Sequence, residues 1–569
     1  MSKACWVSLC MLLMFVVSCG GGAATPAPTP TLITPPAPAA TPTPPPPVNR
    51  IDQELLGAAG VTASCDHPAE AQLTCENEAS ATPQFHVTIN AATYARWSIH
   101  FADLSTPLTG DETLYVAAEQ AGNLSPNLYL VERSGQRVPV ALARYGLTEG
   151  AHDLFIPLRE IKTDEDVTPN FAEVVEVQIV FEWADMSGVL TLHHLQFRSV
   201  WQEAVAPAAR AQSLAAALTV PAGFAVTAVA DQVREMTQFD FDQDGALWVS
   251  QQNGRIWRYT DTNHDGVYDQ RLLYGAGFGE VVGLLTDPVD GAVWIGGRGR
   301  LLQTLDSDGN GVVDTRTVRL DGLPWGRHQN NGMVWNPDPD PFTGEPAHHW
   351  IYFGLGSIDD LEVGGPWNAA VLRFPRDGQG EDDLQIVSQG NRNPYMLVWA
   401  PVPVDLTQPD GPFAWQLFAG ENGPDFNDAP DEINHIRWQH HYGFPEQFGP
   451  VAADAVDGEP YSGPVYAVAA HASASGLAYI SNPAWPPAYR TLYVSLFGQV
   501  FSQESVGHTV ERVTLTTVEE KTGVTYRGEP TTFVAGLDRP LPMLATPGGD
   551  LLVGDYATGV IYAVKYVGE

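Results

Sequence analysis

The sequence predicts an all-β protein in which a β-sandwich (jelly-roll) domain precedes a six-bladed β-propeller. Short strands with alternating character, bounded by turn residues, recur through residues 84–200, as is typical of a sandwich. From Phe224 to Tyr566 a longer unit repeats, with an apolar strand, a Gly/Asp turn and further strands each time. A chain of 569 residues is too long for one ordinary domain, so more than one unit is expected.

The first fifty residues read as targeting and spacing segments. Residues 1–19 combine Lys3, a short apolar stretch and the run Val-Val-Ser-Cys-Gly, which resembles a bacterial lipobox with Cys19 as lipid acceptor. The alternative is an ordinary cleaved signal peptide. Residues 20–50 are rich in Ala, Thr and Pro and predict an extended spacer. We therefore expect an exported, extracytoplasmic protein that is tied to the membrane by its lipid anchor alone.

The net charge excludes two classes of binding partner, and the cysteine content predicts a disulfide. The formal charge is -38, which excludes electrostatic binding to nucleic acid or anionic lipid. Cys65 and Cys75 are the cysteines that remain after the signal and the lipidated residue, and we expect them to form a disulfide in an exported protein. A metal site is the alternative, but further ligands are not found nearby in the sequence.

Residues 51–200 form the predicted sandwich domain. The order of its strands resembles galactose-binding-like domains, the fold of many carbohydrate-binding modules. Trp97, Trp183 and Tyr94 could stack on a sugar, or they could be core aromatics. Residues 201–219 are rich in Ala and predict a helical or loose linker.

Residues 220–569 form the predicted propeller. Its repeated units centre on strands such as Leu247–Ser250 and Ala292–Ile295, and their spacing is near the length of a propeller blade. The early strand Phe224–Ala228 can complete the last blade and close the ring, which removes exposed sheet edges. The fourth unit is enlarged by insertions.

Residues 390–445 hold the most distinctive motifs. Arg392-Asn393-Pro, Glu-Asn-Gly423-Pro424, Asp-Glu432-Ile-Asn and Tyr442-Gly-Phe-Pro follow one another in a polar run. Gly, Pro, Asn and Asp break regular structure, and long ordered loops of this kind usually carry function. The order of the motifs resembles the glucose/sorbosone dehydrogenase family, whose soluble quinoprotein members are six-bladed β-propellers.

The resemblance implies a site for pyrroloquinoline quinone (PQQ) and calcium. His328 matches the general base, and its imidazole is suited to taking a hydroxyl proton near neutral pH. Arg392 and Asn393 match cofactor contacts, Arg392 also stabilising the developing charge, and Arg539 matches a further contact. The metal positions are Gly423 and Pro424, whose carbonyls hold the cofactor-bound calcium, and Glu432 and Tyr442, which contribute to a second, structural calcium.

The chain departs from the family pattern at three places. The fifth blade offers no lysine, a second arginine of the last blade is replaced by Leu541, and the aspartate that partners the catalytic histidine is replaced by Ser357. Asp359 or Asp360 could take the place of that aspartate. Losing two cations would weaken binding of a cofactor with three carboxylates.

Two acidic loops have the spacing of the first part of an EF-hand, with oxygen side chains at positions one, three, five and nine and Gly at position six. A twelfth-position glutamate is missing, since Leu272 and Thr317 stand there. They are either incomplete calcium sites or plain Asp/Gly turns. Their candidate ligands are Asp261, Asn263, Asp265, Asp269, Asp306, Asp308, Asn310 and Asp314.

The leading hypothesis from the sequence is a surface-anchored, PQQ- and calcium-dependent aldose dehydrogenase that passes electrons to an external acceptor. Its substrate would be a sugar or polysaccharide, which the sandwich domain could hold nearby. The alternatives are a non-catalytic propeller that binds carbohydrate or protein, and a calcium-dependent propeller hydrolase acting on lactones or esters.

Overall fold

The protein is built almost entirely from β-strands, as predicted. The computed structural model describes residues 52–568 apart from 78, 102–106, 109–111, 146, 159–160, 162–168, 200, 426–427, 451–461, 500–505 and 521–522. The proposed signal peptide, Cys19 and almost all of the Pro/Thr-rich spacer therefore lie outside the described residues. Within the described part, no helix is both long and apolar enough to span a membrane.

Residues 52–198 form two antiparallel sheets, which we call the two-sheet unit. One sheet has the strand order β3-β4-β11-β6-β9, with β1 paired to β11, and the other has the order β2-β5-β10-β7-β8. The strands are β1 Asp52–Glu54, β2 Val61–Asp66, β3 Gln72–Glu76, β4 Gln84–Ile89, β5 Tyr94–Phe101, β6 Thr113–Gly122, β7 Asn127–Glu132, β8 Arg137–Ala141, β9 Gly150–Pro157, β10 Val174–Glu182 and β11 Met186–Arg198.

Alternating side chains of both sheets pack into one apolar core. Trp97 is fully buried there against Phe85, so it belongs to the core and cannot stack on a sugar. Trp183 and Tyr94 are 77% and 39% exposed and remain accessible. Cys65 of β2 and Cys75 of β3 form a disulfide, which links the two sheets.

Residues 202–566 form six further sheets in the described part of the chain, and we call them the six-sheet unit. Its helix is α1 Ala209–Ala217. Its strands are β12 Gln202–Ala204, β13 Phe224–Ala230, β14 Met236–Phe241, β15 Leu247–Gln251, β16 Ile256–Thr260, β17 Gln270–Gly275, β18 Gly283–Thr286, β19 Val293–Gly297, β20 Arg300–Leu305, β21 Thr315–Leu320, β22 Asn330–Trp335, β23 Trp350–Leu355, β24 Ala370–Pro375, β25 Gln385–Gln389, β26 Pro394–Pro403, β27 Phe413–Glu421, β28 Asp431–Ile436, β29 His440–His441, β30 Tyr466–Val468, β31 Ala474–Tyr479, β32 Leu492–Leu496, β33 Thr509–Glu520, β34 Gly523–Ala535, β35 Pro540–Ala545, β36 Leu551–Asp555 and β37 Val560–Tyr566.

One edge strand of each sheet contacts the corresponding edge strand of the next sheet, and we call these edge strands the first strands of the sheets. The series of contacts runs from β14 through β18, β22, β26, β31 and β35, and β35 contacts β14 again. The sixth sheet combines the two ends of the unit, since β13 pairs antiparallel with β37 from Phe224↔Tyr566 onwards. The early strand thus lies beside the last one, as predicted.

The segment between the two units is ordered. Gln202–Ala204 was expected to be linker, but it adds to the edge of the first sheet by pairing with β17. Trp201 packs between Tyr115 and Phe155 of the two-sheet unit, and the Phe155 ring also meets Trp257 edge-on. Because Trp201 packs against a buried aromatic cluster, the start of this segment is ordered. The Ala-rich sequence did not predict this contact.

Phe224 offers a test of the closing strand. Its ring lies 4.7–5.2 Å from the rings of Trp485, Tyr489, Phe533 and Tyr566. Because Phe→Ala in a packed core costs about 3–5 kcal/mol, we expect Phe224→Ala to lower the free energy of unfolding by that amount in urea titration. Phe413→Ala is the control, since Phe413 is 54% exposed, and an equal effect of both variants would contradict the closing role.

Candidate functional site

A polar cavity of about 240 Å³ lies where the first strands of the six sheets meet. Each of these strands, or the residue directly before it, contributes at least one lining residue. The contributors are Thr237, Val282, Asn331, Tyr395, Ser475 and Leu541. The cavity therefore has contributions from all six sheets, and it holds His328 and Asn393 among its lining residues.

His328 is held through one nitrogen of its ring. Nδ1 lies 2.9 Å from the Ser357 carbonyl oxygen and 3.1 Å from the Ser357 hydroxyl oxygen. That hydroxyl donates its own hydrogen to the Asp359 carbonyl, so both Ser357 atoms act as acceptors toward His328. Nδ1 must therefore carry the proton, and Nε2 is left as the basic nitrogen.

The surroundings keep the imidazole neutral. Burial, and then the nearby Arg392 guanidinium, lower the pKa of His328 to about 4. A neutral histidine with its Nδ1 proton fixed can accept a proton at Nε2 over the whole neutral range.

The aspartates expected beside His328 have another partner. Asp360 pairs with Arg392 at 2.6 Å, and Asp359 accepts the Asp360 backbone N–H. The prediction that Asp359 or Asp360 replaces the family's aspartate as the carboxylate partner of His328 is therefore wrong. Ser357 alone supplies the acceptors for Nδ1 among the described residues.

Arg392 lies behind the cavity wall. It is 2% exposed, and its guanidinium donates to the Asp360 carboxylate, the Asp360 carbonyl and the Asn422 carbonyl. Its side chain is not part of the cavity lining, unlike that of the adjacent Asn393. The arginine therefore orients the Asn422 loop and acts on His328 through its charge.

Amide side chains form a connected wall. Asn331 donates to Asn393 at 2.9 Å, and Asn393 donates to Asn422 at 3.1 Å. Arg327 is the arginine of the lining, and it is paired with Asp425. Arg539 lies next to the cavity, with its guanidinium carbon 5.6 Å from the ring centre of Phe497, which lines it.

Two buried glutamates lie directly opposite each other on neighbouring strands. Glu421 of β27 pairs in register with Glu432 of β28, and they are 4% and 6% exposed. The Asn434 amide donates to both carboxylates, at 2.9 and 3.0 Å, while its own Oδ1 is buried and has no hydrogen-bond partner among the described residues. Burial first, and then the neighbouring carboxylate, raises the pKa of Glu421, and burial also raises the pKa of Glu432.

This cluster fits a calcium ion. Opposed like charges on adjacent strands are unfavourable. A hard cation would neutralise both carboxylates. It could also be coordinated by the Asn434 Oδ1. Glu432, which the sequence resemblance predicts to contribute to a second calcium site, is one of the two carboxylates of this cluster. The Tyr442 hydroxyl, however, is occupied by the His435 carbonyl and the Arg437 N–H, which leaves its carbonyl as the oxygen for a metal.

The loop predicted to hold cofactor-bound calcium is anchored beside this cluster. The Gly423 N–H donates to Asp431 at 2.8 Å, and Asp431 also accepts the Ser473 N–H. Pro424 is buried. Their carbonyls remain the candidate ligands.

The side chains that line the central cavity are of the chemical types that a flat quinone would need. Phe497, Tyr395 and Leu541 provide aromatic and apolar contacts, while the Arg327 guanidinium is a donor for carbonyl and carboxylate oxygens. Leu541 lines the cavity with an apolar side chain, at the position where the sequence resemblance led us to expect an arginine.

The two acidic loops lie away from this cavity, each between the third and fourth strands of a sheet. The second loop gathers three carboxylates, with one oxygen of each within 4.8 Å of the others: Asp306, Asp308 and Asp314. Among the described residues, this is the group of acidic side chains that could hold a metal ion in this way. Asn310 donates to Asp308 from its side-chain amide.

The first loop is a hydrogen-bonded turn. Asp261 and Asn263 accept the Asp265 N–H, Asp265 accepts the Val267 N–H, and Asp269 accepts both polar groups of Thr262. Its carboxylates are not gathered as those of the second loop are.

Sequence reasoning passed over Glu421, Asn434 and Ser357 as functional candidates. Glu421 becomes notable only once the strand register places it opposite Glu432. A signal was present, because both glutamates lie at the ends of strands that flank one Gly/Pro-rich loop.

A family described as a domain of unknown function (DUF7133) matches residues 210–397. This range runs from helix α1 through the third sheet and ends within β26, the first strand of the fourth sheet. No curated protein matches the chain.

Several solved structures are similar in fold. A Trichoderma reesei carbohydrate-active enzyme of family AA12, in its calcium structure, is 12% identical with a TM-score of 0.49, covering 64% of this chain and 98% of its own. The PQQ domain of Coprinopsis cinerea pyranose dehydrogenase, in its holo form, is 13% identical with a TM-score of 0.49 and covers 61% and 97%. The PQQ-bound aldose sugar dehydrogenase from Streptomyces coelicolor is 20% identical with a TM-score of 0.43 and covers 61% and 100%. At these values the likeness identifies no activity, substrate or cofactor for this chain.

Calcium should stabilise the protein through the glutamate pair. At a concentration one hundred times its Kd, a ligand of the folded state adds about 2.7 kcal/mol. We expect calcium to raise the melting temperature, a chelator to lower it, and Glu421→Gln to lose most of the response because one ligand charge is gone.

Glu446→Gln is the matched control, since Glu446 is exposed. Asp308→Asn separates the acidic loop from the glutamate pair. If Glu421→Gln keeps the full calcium response and Asp308→Asn loses it, the metal lies in the loop and the assignment to the glutamates is wrong.

Proposed function

We propose that the six sheets are the six blades of a β-propeller and that the chain is a quinone-dependent sugar dehydrogenase. The ring of contacts among the first strands and the pairing of β13 with β37 support six blades. The two-sheet unit supports the proposed jelly-roll in its paired antiparallel sheets.

One observation carries the proposed activity: His328 lines a polar cavity at the centre of the six sheets with its Nδ1 proton fixed on Ser357. A base in this state can take a hydroxyl proton at Nε2 from a sugar in the cavity. The Asn331–Asn393–Asn422 wall offers hydrogen-bonding groups that would orient such a substrate.

The cofactor would be held by the same cavity. Arg327, Asn393 and Arg539 are the candidate contacts for PQQ, and the Gly423 and Pro424 carbonyls are those for its calcium. The chemistry that the group supplies when bound is acceptance of a hydride from the sugar carbon, with calcium as a Lewis acid. Arg392 contributes charge from behind the wall, by lowering the pKa of His328.

The cellular setting follows from the sequence. Residues 1–50 support a lipid-anchored, extracytoplasmic enzyme with Cys19 as the anchor. The sequence has no Cys-x-x-Cys-His haem motif, so electrons would pass to a separate acceptor.

A second candidate function is a non-catalytic propeller that binds carbohydrate or protein. Two observations favour it: Arg392 is already paired with Asp360, and Leu541 lines the cavity in place of a cation. Cofactor binding separates the two functions.

Reconstitution tests the proposal. We expect the protein, with calcium and PQQ added, to bind the quinone with a change in its absorbance and to reduce a dye with aldoses. His328→Ala should lower kcat by about 10²–10⁴-fold, the usual contribution of a general base, and leave quinone binding intact. His86→Ala, on the surface of the two-sheet unit, is the control. Absence of binding at micromolar quinone would leave the non-catalytic function.

The pH profile gives a separate test of the base. Because His328 must be unprotonated to act and its pKa is lowered to about 4, kcat/KM should stay level as the pH falls through 6.5 and decline only near pH 4. A decline centred at pH 6.5 would contradict the buried, neutral state of His328. The measurement requires protein that stays folded at pH 4, which circular dichroism checks.

A further inference from the structure

A large cleft separates the two units on the side of the first two blades. It has a volume of about 930 Å³ and is lined by Tyr145 and Phe155 of the two-sheet unit and by residues of the six-sheet unit. We call it the arginine cleft, because Arg255, Arg298, Arg300 and Arg316 all line it. It is distinct from the central cavity described above.

The charged side chains that line the cleft are mostly positive, whereas the whole protein is strongly negative. The chain carries 29 basic and 67 acidic residues, yet four arginines and two glutamates line the cleft. A concentration of arginine in so acidic a protein needs a local reason. Arginine binds carboxylate and phosphate groups through paired N–H donors, so an anionic ligand supplies that reason.

The arginines of the cleft are available to different degrees. Arg300 is half-buried, and its guanidinium forms no hydrogen bond or ion pair with the described residues. Arg255 donates to the Asp153 carbonyl and lies 4.6 Å from the Phe155 ring centre, without a carboxylate partner in that same part of the chain. Since a guanidinium has five N–H donors, both retain donors for a ligand.

The other two arginines are fixed by the protein itself. Arg298 pairs with Glu280 at 3.2 Å, and Arg316 donates to the Ala276 carbonyl with its guanidinium 4.2 Å from the Phe278 ring centre. Burial lowers the pKa of Arg255 to about 10, which leaves it charged at neutral pH but poorly solvated. An anion in the cleft would compensate for that lost solvation.

The cleft adjoins the central cavity. Gln252 and Glu280 line both spaces, and Gln252 donates to Glu280 at 2.6 Å. The cleft and the cavity that holds His328 therefore meet at these two side chains. A ligand longer than one sugar could occupy both.

We propose that the arginine cleft binds the carboxylate groups of an acidic sugar chain, a polyuronate, whose end reaches the central cavity. This inference rests on the proposed function, because it names the substrate class of the same site. Carboxylates would be bound by Arg300 and Arg255, and the half-buried ring of Tyr145 lines the same cleft. The lining also contains Glu235, Glu280 and Gln252, which accept hydrogen bonds from hydroxyl groups. A polyphosphate offers no hydroxyl groups to such acceptors.

The test is a titration of the full chain, without quinone, with tetragalacturonate by isothermal calorimetry. We expect saturable binding that weakens at least about tenfold in Arg300→Gln, since charge-assisted hydrogen bonds are lost. Arg527→Gln is the matched control on an exposed strand position. The fully methyl-esterified tetramer, which has no charge, should bind at least about tenfold more weakly than the acid.

The outcomes separate this inference from the proposed function. Unchanged affinity in Arg300→Gln, equal binding of the methyl ester, or tighter binding of a polyphosphate would overturn it. Uronate binding that depends on Arg300, without any quinone-dependent turnover, would keep the cleft and remove the dehydrogenase. Turnover of neutral sugars without uronate binding would do the reverse. Arg300→Gln removes a side chain that has no partner in the described residues, so loss of folding is not expected.

Discussion

The hydrogen-bonded pairing of β13 with β37 is the constraint on which the rest of the six-sheet unit depends. The sixth sheet reaches its four strands only when residues near 224 pair with residues near 566. Sheet edges that would otherwise invite association are covered in this way. The cavity is a consequence, because strands that meet in a ring bring one residue from each sheet to a common centre.

The candidate site holds its histidine through a neutral side chain and a backbone carbonyl. The imidazole of His328 is oriented by a neutral serine instead of a carboxylate, which leaves no negative charge in direct contact to stabilise an imidazolium. The carboxylate nearby, Asp360, neutralises Arg392. Burial, and then the charge of Arg392, lower the pKa of His328, so the imidazole is neutral at neutral pH but is a weak base.

Sequence reasoning predicted the strands and the closing pair well, because period-two alternation and Gly/Asp turns are local signals. Sequence reasoning could not decide whether Trp97 and Trp183 lie in the core or on the surface. Alternation shows that a strand has two faces, but it does not show which face packs into the core. Sequence reasoning also could not predict that the Arg392 guanidinium donates to the Asp360 carboxylate, because Asp360 lies 32 residues away in the chain. The glutamate pair and the arginine cleft depend on register and on packing between units, and neither is written in a local pattern.

The short strand β12 has a consequence for how the two units move. A free Ala-rich linker would let the two-sheet unit swing and would average its direction over time. Pairing with β17 and the Trp201 cluster remove that hinge. The two-sheet unit therefore acts as a fixed wall beside one side of the ring, and it restricts the directions from which a long chain can approach the centre.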